Sequence, residues 1–217
     1  HLGSDIDLLV VLDPFTKEAD TLVSDITADL LLECGVDISA ITFSRRQVAE
    51  LSALGTPLMR NVAEEGIPLK GEPIVVGEGK PYEVAKGFLR SAHERLRATR
   101  VLIKGGFYRS AVSEAYYAFL DAADGALASR RITPKSHAGT ISLFGLHFIK
   151  PGLVDAKYSR WFKLIRKARM YADYHRLRSF SRQEAEEALA QAAEFVSVVE
   201  ALINRELQSQ QHRKATK

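Results

Sequence analysis

At 217 residues, with 46% apolar side chains and a formal charge of +3, the sequence suits one large folded domain or two small ones. No apolar run approaches the roughly 20 residues a membrane span needs, and no basic-then-apolar leader opens it, so a cytoplasmic protein with no membrane partner is expected. The single cysteine, Cys34, excludes an internal disulfide and is expected to be a buried thiol.

Taken in chain order, Ser4 to Leu12 reads as a buried strand, Lys17 to Glu33 as an amphipathic helix and Gly35 to Phe43 as a second strand. Ser44 caps a short helix through Leu54, and Thr56-Pro57 starts another that ends at Gly66. The pattern over residues 1–70 is α/β, and the Gly and Pro density of residues 71–81 predicts a linker. Beyond it, helical periodicity predicts five helices near 82–104, 107–129, 134–149, 154–176 and 181–208, an all-α up-and-down bundle. Gly105-Gly106 separates the first two, Thr133-Pro134 starts the third, Pro151-Gly152 ends it, and Ser181 with Glu184 forms a capping box for the last. Residues 209–217 read as a flexible polar tail. The fold class expected is therefore α+β in two domains.

Charge divides at the same place. Residues 1–70 carry 5 Lys/Arg against 12 Asp/Glu, a net of −7, and residues 71–217 carry 25 against 15, a net of +10. A basic half suits phosphate-bearing ligands or an acidic partner.

Asp5 and Asp7 stand one residue apart at the mouth of the LLVVL run. In a strand they project on one face, about 7 Å apart, where two carboxylates bracket a divalent cation. The unbroken apolar run predicts a strand covered on both sides. Asp37, opening the next strand, supplies a third acid, and the three together make a candidate Mg²⁺ site. SDIDLLVVLD, then GVDIS, then GTPLMRNVAEEGIPL, resemble the minimal nucleotidyltransferase domain of the polymerase-beta superfamily over about residues 3–70. The resemblance implies Asp5, Asp7 and Asp37 as metal ligands, Ser4 as a cofactor-binding residue, and Mg²⁺ and ATP as cofactors of adenylyl transfer. That family's Gly-Ser loop lies about ten residues before the first aspartate, and Gly3-Ser4 instead matches the end of its S-D-I-D string. A metal site without that loop is expected to hold nucleotide weakly.

GGFYRSAVSEAYYAFLDAADGALASRR, TPKSHAGTISLFGLHFI and RKARMYADY resemble the HEPN domain over about residues 82–205, in the branch found fused to or encoded beside minimal nucleotidyltransferases. The resemblance implies a toxin-antitoxin-like setting, a homodimer through the helices, and in many members a metal-independent ribonuclease with an Arg-x(4 to 6)-His motif. Histidine moves protons near neutral pH and guanidinium matches phosphate oxygens, so the residue types fit RNA cleavage. Arg131 and Arg130 are separated from His137 by five and six residues, and Lys135 adds charge beside it. In related systems a tyrosine near the motif accepts the nucleotidyl group; none lies between Arg131 and His137.

Tyr116, Tyr117, Phe119 and Leu120 read as a core-facing stripe. Arg169 and Asp173 read as a structural ion pair. Arg160, Lys163 and Lys167, with Arg166 and Arg169 alongside, form a basic face suited to RNA or to the acidic half. His93, His147 and His175 read as structural or surface residues. Three functions follow: Mg²⁺-dependent nucleotidyl transfer, metal-independent RNA cleavage by His137 with Arg131 or Arg130, and nucleotide or RNA binding without turnover.

Overall fold

A computed structural model of the chain describes residues 6–174 and 178–215. Strand β1 (Ile6–Leu12) and strand β2 (Ile38–Ser44) pair in parallel, joined by helix α1 (Lys17–Cys34). Thr16 holds an extended backbone and its hydroxyl accepts from Ala19 N at 3.1 Å, which starts α1. Gly35, in the left-handed region at φ 66°, ends it. Ser44 and Gln47 form a complete capping box for α2 (Arg45–Leu54), and α3 (Pro57–Glu65) begins with its proline at the first helical position.

Among the described residues the sheet has these two strands and no others. The expectation of a strand covered on both sides is corrected here: no residue of β1 is fully buried, and Ile6, Val11 and Ile41 are 51%, 42% and 49% exposed. Helix α1 packs on β2 from one side, where the Thr42 hydroxyl donates to Asp20. Cys34, expected to be buried, is exposed, because it is the last residue of α1 where the chain turns at the surface.

Residues 66–80 hold neither helix nor strand, and the chain divides into two compact units between Gly79 and Lys80. Within the first unit the Arg60 guanidinium donates to Gly55 O at 3.0 Å and Glu78 O at 3.3 Å, so the connecting segment is tied back to the turn between α2 and α3.

The second unit contains α4 (Pro81–Lys104), α5 (Tyr108–Ser129), α6 (His137–Phe144), which runs on through a π-helical turn at Gly145–Ile149, α7 (Lys157–Tyr174) and α8 (Arg182–Ala215). The chain as a whole is mostly helical, with eight α-helices among the described residues. Three expectations change. The third helix of this unit starts at His137 rather than Pro134, because extended Ser136 is the cap and its hydroxyl accepts from Gly139 N at 3.0 Å. The last helix continues to Ala215, into the polar segment expected to be a flexible tail. The unit is also not a regular up-and-down bundle: α6 is a short helix, and α5 packs against α4, α6, α7 and α8.

That central position follows from composition. Ala111, Ala115, Ala118, Ala122, Ala123 and Ala126 are completely buried, and such small side chains let neighbouring helices approach α5 closely. At Gly125 an added Cβ would stand 3.2 Å from Ala85 O, so α4 crosses there with no space for a side chain. Around this frame Phe119 stacks on Phe195 with centroids 3.7 Å apart, and Phe162, Phe144 and Phe148 complete an aromatic core joining α5, α6, α7 and α8.

Candidate functional site

His137 is the first residue of α6, placed there by the Ser136 cap, and it is exposed. Its Nδ1 lies 3.3 Å from the hydroxyl of Tyr116, a residue of α5 that is itself buried. The rings of Tyr116 and Tyr117 both lie with centroids 6.0 Å from the imidazole. Burial, and next the positive charges of Arg169 and Arg166, hold His137 below its ordinary pKa of 6.5, with Asp121 opposing. A neutral ring at neutral pH is the consequence. The Tyr116 contact then serves either direction of proton transfer. With Nδ1–H donating to the tyrosine, Nε2 is a base; with the tyrosine donating to Nδ1, Nε2 carries the proton. Burial also raises the Tyr116 phenol, against the opposing pull of Arg166 and Arg169, which keeps it protonated.

Arg169 of α7 is the nearby cation. Its Nη2 donates to the Tyr117 hydroxyl at 2.9 Å, and its Nε lies 2.6 Å from Asp173 Oδ2 in an ion pair that lacks hydrogen-bond alignment. Asp173 accepts from Ser113 Oγ at 3.1 Å. Tyr117 is flanked by two guanidinium groups, with Arg95 at 5.1 Å and Arg169 at 5.6 Å from its ring centroid. Arg95 in turn bonds Asp121 at 2.8 Å and Glu114 at 3.1 Å, and Asp121 accepts from Ser91. The result is one connected polar cluster across α4, α5 and α7 that reaches His137 at the start of α6.

The two arginines expected to serve His137 lie elsewhere. Arg130 ion-pairs with Glu206 of α8, donates to His147 O at 3.0 Å and covers the Phe148 ring at 4.2 Å. It ties α5 to the π-helical turn and α8. Arg131 is exposed and holds a left-handed backbone, φ 62°, where the chain leaves α5. Among the described residues neither shares a hydrogen bond or ring contact with His137. Tyr116 and Tyr117, expected only as core, are partners of His137 and Arg169, while Phe119 and Leu120 are core. Arg160, Lys163, Arg166 and Lys167 are exposed along α7, as the basic face requires.

On the sheet, Asp7 pairs in register with Ser39, and Asp37 stands just before β2, where its carbonyl accepts from Ile6 N at 3.1 Å. Asp5 and Ser4 lie outside the described residues. No cluster of three His, Cys, Asp or Glu side chains able to hold a metal is present among the described residues.

Arg169, read from the sequence only as a structural ion pair with Asp173 and a flank of the basic face, forms that pair and also donates to Tyr117, whose ring lies beside His137. It is separated from His175 by five residues, the same spacing as Arg131 to His137, and RMYADYH carries two tyrosines, Tyr171 and Tyr174, between them. That spacing was the available signal; His175 lies outside the described residues. A second signal was the polar series Arg109, Ser113 and Tyr117, four residues apart on one face of an alanine-rich helix.

Comparison with known proteins agrees with the helical half of this description. The family profile of the HEPN domain matches residues 85–202. The chain is 34% identical over 114 residues, 52% of its length and 84% of the relative's, to a protein of Methanocaldococcus jannaschii named "Putative toxin MJ0605". It is 33% identical over 108 residues, 49% of its length and 86% of the relative's, to the "UPF0332 protein glr0978" of Gloeobacter violaceus. No helix among the described residues is long and apolar enough to cross a membrane.

Asp124 is the one carboxyl of the cluster driven far from its ordinary range. Burial raises it from 3.8 to about 6, against the opposing hydrogen bond from Thr140 Oγ1 at 2.8 Å and with Asp121 raising it further. Because the folded pKa exceeds the unfolded one, the folded state binds more protons between about pH 4 and 6, and this group's stabilisation is lost as pH rises through that window. Asp124→Asn, which keeps an oxygen for Thr140, is expected to stabilise the helical unit by about 1–3 kcal/mol at pH 7 and by almost nothing near pH 4. Denaturant melts of both proteins at the two pH values check this; an advantage that does not change with pH would contradict it.

Proposed function

The chain belongs to the HEPN-domain family, and on that premise we propose that it is a toxin-antitoxin-like ribonuclease that cleaves RNA without a metal ion. The observation that carries the reading is the placement of a fixed guanidinium, Arg169, beside a neutral, accessible histidine, His137. In the proposed reaction His137 Nε2 takes the proton of a ribose 2′-hydroxyl, and the 2′-oxygen attacks the adjacent phosphorus. The bond from phosphorus to the 5′-oxygen breaks, leaving a 2′,3′-cyclic phosphate. The leaving 5′-oxygen takes a proton from water and becomes a hydroxyl, and the protonated His137 returns its proton to solvent, which restores the starting state. Arg169 answers the charge that builds on the non-bridging oxygens; its Nη1 makes no hydrogen bond to any other described residue. Arg160, Lys163, Arg166 and Lys167 supply an exposed basic approach along the same helix.

The purified full chain is expected to cleave single-stranded RNA in the presence of EDTA. His137→Ala and Arg169→Gln should each lower the rate by about 100-fold or more, and Arg131→Gln should leave it within about threefold. Cleavage abolished by EDTA, or unchanged in His137→Ala, would refute the assignment. Including His175→Ala tells whether the second Arg-x5-His spacing contributes as well.

A second reading keeps the first unit as a Mg²⁺-dependent nucleotidyltransferase using ATP, with Asp7 and Asp37 as ligands, and Asp5 and Ser4 assigned by resemblance. The observation favouring it is Tyr174, which is 74% exposed and has Arg169 5.9 Å from its ring centroid. An exposed phenol next to a phosphate-matching cation is a suitable acceptor. Labelled ATP with Mg²⁺ should then mark the chain, and both Tyr174→Phe and Asp7→Asn should abolish the label; undiminished labelling of Tyr174→Phe removes this acceptor. A homodimer through the helices belongs to the same proposal.

A further inference from the structure

Side chains four residues apart lie on one face of a helix. Arg109, Ser113 and Tyr117 of α5 follow that spacing, and all three reach the last two turns of α7. Tyr117 holds Arg169 and Ser113 holds Asp173. Arg109 reaches the backbone: Nη1 donates to Tyr171 O at 3.4 Å and to Ala172 O, and Nη2 donates to Arg178 O, four residues beyond the end of α7. Its guanidinium also lies 5.6 Å from the Phe180 ring centroid.

The last carbonyls of a helix have no donor within it and carry partial negative charge. A guanidinium answers several of them at once because its N–H groups lie in one plane, which a lysine ammonium cannot reproduce. Two of the carbonyls Arg109 takes, those of Tyr171 and Ala172, lie between Arg169 and Asp173, and the third, of Arg178, lies five residues beyond Asp173. Fraying of that turn would move both members of the ion pair and the contact with Tyr117 together.

We propose that Arg109 is a positioning residue: by binding the carbonyls of Tyr171, Ala172 and Arg178 it fixes the end of α7, and through it the direction in which Arg169 presents its guanidinium. The proposal rests on the reading of Arg169 as the phosphate-facing cation, and it adds a residue remote from His137 to the working parts.

The test uses Arg109→Gln, which removes the charge and the fork, and Arg109→Lys, which keeps the charge and one or two donors. The side-chain Nε–H signal of Arg169 is followed by NMR in the full chain. Solvent exchange of that proton should be about tenfold faster or more in both variants, while the melting temperature of Arg109→Lys stays within a few degrees of the parent. If RNA is cleaved, kcat should fall by about tenfold with KM changed by less than about threefold. An Arg169 signal unchanged in both variants overturns the proposal, as does a faster-exchanging Arg169 with unchanged kcat. Should the parent chain cleave no RNA, the ribonuclease reading fails on its own, and the Arg169 signal still decides whether Arg109 fixes that group. Arg109→Lys keeps the test intact if Arg109→Gln does not fold.

Discussion

Helix α5 is packed by α4, α6, α7 and α8, and a helix enclosed in that way can carry polar side chains only where a neighbour answers them. Most of its surface meets this constraint with alanine and aromatic residues in full contact. The remainder meets it with partners: Arg95 from α4 answers Glu114 and Asp121, Thr140 from α6 answers Asp124, and the end of α7 answers Arg109, Ser113 and Tyr117. The polar cluster is thus a consequence of enclosing α5. What sets it apart from a purely structural network is its outlet, since His137 is exposed at the start of α6 while its ring rests on Tyr116.

This arrangement separates two roles that arginine plays near the cluster. Arg130 is spent on structure: its charge is met by Glu206, a carbonyl takes another donor, and its plane covers Phe148. Arg169 is held by Tyr117 and Asp173, yet its charge still acts on His137. Both are partly buried arginines with acidic partners, so burial alone does not tell them apart. The difference is in the neighbours: Arg130 lies against Phe148 and the His147 carbonyl, whereas Arg169 lies among Tyr116, Tyr117 and Tyr174, and the rings of Tyr116 and Tyr117 flank the His137 imidazole.

Much of this fold was legible in the sequence because its punctuation is local. Pro57, Ser44, and Ser181 with Glu184 act within a turn of themselves, and each does so in the structure, whereas Gly35, read as the start of the second strand, instead ends α1. Where the reading slipped, the decisive contact was distant or the choice lay between two adjacent signals. Pro134 and Ser136 both suit a helix start, and the extended backbone at Ser136 decided between them. The site was less legible. Arg131-x5-His137 satisfies a spacing whose intervening residues form a turn, with Arg131 itself in a left-handed conformation, so closeness in sequence did not bring the side chains together. Arg169 comes from another helix, 32 residues further along, and only the packing of α7 on α5 delivers it. The apolar run of β1 likewise reads as a strand covered on both faces, whereas among the described residues the sheet has two strands, with α1 on one side.

The central claim is that Arg169, with Tyr117 and His137, is where the helical unit meets a phosphodiester. The most direct measurement is an NMR titration of the full chain with a short RNA whose scissile 2′-hydroxyl is replaced by hydrogen, so that binding proceeds without cleavage. The account predicts saturable shifts at the Arg169 side chain and the His137 ring, with Arg130 and Arg131 unmoved. Shifts confined to Arg130 and Arg131, with Arg169 and His137 silent, would contradict it.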